Sequence, residues 1–140
     1  MIIGEYTYSI DDKKRLLVPA KFRPSLGNKA IMTRGIDNCL VIYPLAVWQS
    51  LTVKWDNLPT GQVDARGFTR IMLSGATDVE LDKLGRILIP DHLKNYAFLK
   101  KNIAIIGLSN RIEVWDEIRW REYKEKMEKT VSDMAQQLGI

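Results

Sequence analysis

The chain is poor in the residues that build most enzyme and metal sites: its 140 residues include one cysteine, Cys39, and one histidine, His92. One of each excludes an internal disulfide and a zinc site made of several Cys and His ligands. A Cys–His dyad would rest on Cys39, which lies in the run DNCLVIYP and reads as a small buried hydrophobe. His92, in a short helical stretch after Pro90, reads as a surface helix residue. The nine glycines and five prolines are scattered, so no low-complexity linker is expected. There is no glycine-rich phosphate loop either, because GLSNR at 107–111 lacks the GxxxxGK pattern. No stretch approaches the roughly 20 apolar residues of a membrane span. The opening MIIGEYTYSID meets an acid at Glu5, so no signal peptide is expected, and the lone Cys39 makes a reduced cytosol the expected setting.

What is present is a globular composition, 46% hydrophobic and 27% charged, in a length that fits one domain or two very small ones and leaves little room for a deep cleft. A net charge of +4 is compatible with a polyanionic partner but is too small to establish one. The distribution of the charge is more informative. IDDKKRLLVP at 10–19 returns as LDKLGRILIP at 81–90. At an offset of 71, Gly4 meets Gly75, Asp11 meets Asp82, Arg15 meets Arg86 and Pro19 meets Pro90. One inserted residue then makes the offset 72, matching Gly35 with Gly107, Tyr43 with Trp115 and Trp48 with Trp120. The chain is a tandem duplication.

Each copy carries the same order of signals. EYTYSID alternates Tyr6, Tyr8 and Ile10 against polar residues, the period of a half-buried strand, and VELD and RILIP repeat it. Pro19 and Pro90 suit strand exits into short helices. AIMTRG with LVIYP, and IAIIGL with IEVWD, predict hairpins around GIDN and SN. Thr33 and Arg34 read as a solvated strand end. Helices are expected from Pro44, Asp64 and Asp116, with the two aspartates as N-caps. The last helix places Trp120, Tyr123, Met127, Val131, Met134 and Leu138 on one stripe, and its length predicts that the far end docks on a neighbouring subunit. The fold class is α+β.

Lys13, Lys14 and Arg15 crowd one turn, with Lys83 and Arg86 in the second. An arginine fork suits guanine O6 and N7 or a phosphate, and lysine acts as a point charge on the backbone. Arg15 is therefore expected on a base or a phosphate, and Lys13 and Lys14 on phosphates. Arg86 fits either a DNA contact or an inward ion pair. Asp11 and Asp82, each four residues before an arginine, read as turn supports. A catalytic dyad of Asp11 and Asp82 is disfavoured, because an arginine beside each would depress both pKa values instead of splitting them. An enzyme is not expected.

The stretches GEYTYSIDDKKRLLVPAKFR, SGATDVELDKLGRILIPDHL and IEVWD resemble the MraZ family of bacterial transcriptional regulators across nearly the whole chain. The resemblance implies two tandem, pseudo-symmetric AbrB-like swapped-hairpin modules forming one compact domain, at 4–50 and 75–121. It also implies a connecting helical segment at 51–74 and a C-terminal amphipathic helix at 116–138. Each module carries an Asp-x-x-x-Arg signature, Asp11 to Arg15 and Asp82 to Arg86. The implied function is sequence-specific binding of double-stranded promoter repeats by a ring-shaped homo-oligomer, repressing the division and cell-wall gene cluster and its own gene. No cofactor, metal, membrane or small-molecule substrate is implied, and the implied location is the cytoplasm, at the nucleoid. The alternative is an AbrB-like antitoxin that binds a protein toxin and its own promoter; such proteins carry one module and a disordered tail. The family usually has glycine before the first arginine, where this chain has Lys14. If that turn needs a positive φ, lysine strains it by about 1 kcal/mol while adding a cation.

Overall fold

A computed structural model describes all residues, 1–140. The first copy supplies β1 (Ile2–Ser9), β2 (Arg15–Leu17), a 3-10 turn (Ala20–Phe22) running into α1 (Arg23–Leu26), β3 (Lys29–Arg34), β4 (Leu40–Pro44) and α2 (Leu45–Asp56). After α3 (Val63–Ser74), the second copy supplies β5 (Thr77–Glu80), β6 (Arg86–Leu88), α4 (Asp91–Tyr96), β7 (Asn102–Ser109), β8 (Ile112–Asp116) and α5 (Glu117–Leu138). The fold is α+β, and no helix is long and apolar enough to cross a membrane. The helix α2 runs through residue 50, across the expected module boundary.

The two copies exchange their first strands. The large sheet runs β1-β7-β8-β4-β3-β5, so β1 pairs with the second copy's hairpin and β5 with the first copy's. Val41 opposite Glu113 marks the pseudo-twofold centre, flanked by Leu40 with Val114 and Ile42 with Ile112. A separate ribbon, β2 with β6, has the same symmetry about Leu16 opposite Ile87. The ribbon and the short helices close over one face of the sheet, where Leu16, Val18, Phe22, Met32, Ile42, Ile87, Leu93 and Ile105 belong to a buried cluster of 20 residues. Burying each large aliphatic side chain contributes about 1.5–3 kcal/mol. The opposite face holds Cys39, Ala104, Ile106 and Trp115 under α5.

The pairing corrects the expected alignment. Inner-face Ala30 and Met32 correspond to Ile103 and Ile105, an offset of 73, and the register against β1 and β5 agrees with this. The strand β8 follows β4 at 72, as Leu40 and Ile42 match Ile112 and Val114. Gly107 therefore matches Arg34, not Gly35, and the second hairpin loop is one residue shorter. Gly107 is needed for a local reason: a Cβ there would stand 2.7 Å from the Ile3 nitrogen of the paired strand β1 and 2.8 Å from Phe22 Cζ.

Three local expectations also change. Gly4 lies inside β1 whereas Gly75 caps α3, so the copies match only from residue 6 onward. The N-cap of α3 is Gln62, and Asp64 sits in its first turn, where its charge still favours the helix dipole. Asp116 does cap α5, accepting the Arg119 N–H at 3.4 Å. Thr33 and Arg34 are not a solvated end, because α3 lies over them. Thr33 is fully buried and donates its hydroxyl to the Met72 carbonyl at 2.7 Å, and Arg34 Nη1 donates to the Ile71 carbonyl at 2.7 Å. An alternating strand pattern does not show that a distant helix covers its outer face.

Candidate nucleic-acid interface

The two basic turns project from the β2–β6 ribbon and are built alike. In the first, the Asp11 carboxylate accepts the N–H groups of Lys13 and Arg15, both at 2.9 Å, and the Arg15 Nε–H at 2.8 Å. In the second, Asp82 accepts the N–H groups of Leu84 and Arg86, both at 2.9 Å, and the Arg86 Nε–H at 2.9 Å. The backbone closes each turn in the same way, Lys14 N–H to the Asp11 carbonyl and Gly85 N–H to the Asp82 carbonyl, each at 3.0 Å. One carboxylate thus organises the turn and holds its arginine by the inner nitrogen; both terminal nitrogens of Arg15 are left as an oriented fork, while Nη1 of Arg86 also faces Asp11. Hydrogen bonds from the turn N–H groups and the arginine lower the pKa of both aspartates. Two carboxyls lowered together do not make an acid–base pair.

Ribbon pairing brings the turns together. Val18 donates its N–H to the Gly85 carbonyl at 2.9 Å and Ile89 to the Lys14 carbonyl at 2.8 Å, so each strand is pinned at the other copy's turn. Arg86 Nη1 lies 3.9 Å from Asp11 Oδ2, which places Asp11 between both arginines. Both arginine side chains are about 30% exposed, 29% for Arg15 and 28% for Arg86.

Lys14 adopts φ +61° and Gly85 φ +79°, so the turn does require the left-handed region and lysine pays the conformational penalty. The Lys14 ammonium is ion-paired with Asp91, the first residue of α4, whose pKa it lowers. Lys13 and Lys83 are exposed and enter no ion pair. They are not equivalent: Lys13 corresponds to Leu84, which is 64% exposed at the tip of the second turn, and Lys83 to Asp12.

Away from the ribbon, Cys39 is buried, and burial pushes its thiol up to about 12. His92 is exposed on α4, with Nε2 3.2 Å from the Gly75 carbonyl. The burial of Cys39 and the exposure of His92 match their readings as a packing residue and a surface residue.

A family model described as "MraZ protein, putative antitoxin-like" matches the chain twice, at residues 1–71 and 72–138. The chain belongs to the MraZ family. The two matches together span nearly the whole length and agree with the internal duplication. Among similar proteins, "Transcriptional regulator MraZ" of Natranaerobius thermophilus is 45% identical over 99% of this chain and 96% of its own length. The protein of the same name from Halothermothrix orenii is 46% identical over the whole of both chains. That from Moorella thermoacetica is 49% identical over 88% of this chain and 86% of its own. Family membership thus matches the resemblance carried by the two Asp-x-x-x-Arg turns.

Proposed function

We propose that this chain is a DNA-binding transcriptional regulator that holds double-stranded promoter DNA with the paired turns of its β2–β6 ribbon. The observation that carries the reading is the matching Nε clamp of Arg15 by Asp11 and of Arg86 by Asp82, side by side on one ribbon, with Asp11 also 3.9 Å from Arg86 Nη1. A guanidinium fixed by Nε presents two parallel N–H donors with little rotamer entropy left to lose, the geometry that reads guanine O6 and N7 or grips a phosphate. Arg15 and Arg86 take these contacts, and Lys13, Lys14 and Lys83 lie on the flanking phosphates. Asp11 and Asp82 are supports, not contacts. The names of the relatives support the regulatory role.

The target we propose is a set of promoter repeats upstream of the division and cell-wall gene cluster that includes the protein's own gene, with repression as the outcome. Repeated sites suit a ring of identical subunits, each offering one ribbon. The surface for that assembly is α5, 22 residues long with none buried, where Val131 is 58% and Leu138 73% exposed. A second copy is the occupant that fits an apolar stripe flanked by mixed charge. The ordered α5 disfavours the antitoxin reading, in which a disordered tail wraps a toxin. The test is a gel shift on the fragment upstream of the chain's own gene: a discrete, salt-sensitive complex lost when the repeats are scrambled supports the reading, and equal binding to any duplex overturns it.

A further inference from the structure

The two turns differ at one position, Lys14 against Gly85, and the space beside Gly85 is filled from elsewhere. Arg23, the first residue of α1, lays its guanidinium over Gly85 so closely that a Cβ at position 85 would collide with it. Its Nε donates to the Val18 carbonyl at 3.0 Å, on the residue whose N–H donates to the Gly85 carbonyl. The side chain is half-buried and belongs to none of the chain's ion pairs. In the first turn the equivalent place is taken by Lys14, whose charge is met by Asp91. Arg23 is thus a cation held against the second turn by its inner nitrogen, as Asp11 and Asp82 hold theirs, but with no carboxylate to neutralise it.

We infer that Arg23 is a further DNA-contacting residue, a phosphate clamp of the second turn that stands where Lys14 stands in the first. Gly85 then has two roles, adopting φ +79° and leaving the seat for Arg23. A structural arginine needing only to brace Val18 would gain from a carboxylate partner, whereas an unpaired guanidinium on the turn that also carries the unpaired Lys83 adds positive charge that Asp82, already held by Arg86, does not neutralise, and this suits a polyanion.

This inference rests on the DNA-binding reading, and the experiment separates the two. The full-length wild type, Arg15→Ala, Arg23→Gln and Arg23→Lys are titrated against the fluorescent upstream duplex at several salt concentrations, with thermal melting as a fold control. Arg23→Gln should weaken binding by roughly tenfold and lower the salt slope by about one unit per engaged copy, while Arg23→Lys keeps most of the slope. If Arg23→Gln binds with wild-type affinity and slope while Arg15→Ala does not bind, the Arg23 inference fails and the DNA reading stands. If the wild type shows no preference for the duplex, both fail. Should Arg23→Gln melt at a much lower temperature, labelling of the wild type with an arginine-selective dicarbonyl decides. Protection of Arg23 by DNA supports the inference, and equal labelling with and without DNA overturns it.

Discussion

Leu16 and Ile87, 71 positions apart and both fully buried, face each other at the centre of the β2–β6 ribbon. Through this pair the two basic turns become one surface, because each strand ends at the other copy's turn. Replacing Leu16 with alanine would therefore loosen both turns, at a cost of about 2–5 kcal/mol.

Arg15→Ala should abolish binding to the repeated promoter fragment while leaving fold and assembly intact. Each engaged subunit loses roughly 1–3 kcal/mol, and the losses compound across a multivalent complex. Gel shift beside size-exclusion chromatography checks this; wild-type binding, or dissociation of the assembly, would make Arg15 merely the partner of Asp11.

Lys14→Gly should raise the melting temperature by a few degrees. It relieves φ +61°, worth up to about 1 kcal/mol, and gives up only an exposed ion pair with Asp91. Its DNA affinity should show a salt slope about one unit smaller per engaged copy. A fall in melting temperature would mean that the pair with Asp91 outweighs the strain.

Shortening or charging the far end of α5, for example Val131→Asp with Leu138→Asp, should reduce the assembled state while the isolated subunit keeps its melting behaviour. These side chains are exposed, so the substitutions should act on the proposed contact with another copy and not on the subunit's own packing. Light scattering of wild type and variant measures it, and an unchanged mass would remove α5 from the interface.

Asp11 and Asp82 have folded pKa values below their unfolded ones, so their contribution to stability is present above the ordinary aspartate range and is lost as pH falls through the lower, folded values. Turn order and DNA binding should hold unchanged from pH 8 to about 5 and fail only below about pH 4. Asp11→Asn should shift that acid limb, followed by denaturation midpoints across pH.

The Cys39 thiol, buried with a pKa of about 12, should resist thiol reagents in the native protein and react on unfolding. His92→Ala and added chelator should leave DNA affinity within a few-fold. Loss of binding in chelator would reveal a metal.

The duplication, the paired turns and nearly every element are legible in the residues themselves, because turn chemistry and strand alternation are local. An aspartate that bonds N–H groups two and four residues on writes its turn in five residues, whereas a positive φ at Lys14 is only a condition in the sequence and the backbone settles it. The two hairpins, β3 with β4 and β7 with β8, follow from their turns, but every other pairing is set by the tertiary structure. The exchange of β1 and β5 between copies, the 73-residue match of β3 with β7, the covering of Thr33 by α3 and the seating of Arg23 on Gly85 all join residues distant in the chain. Such contacts are selected by core packing and loop closure over the whole molecule, and no local pattern of residues encodes them.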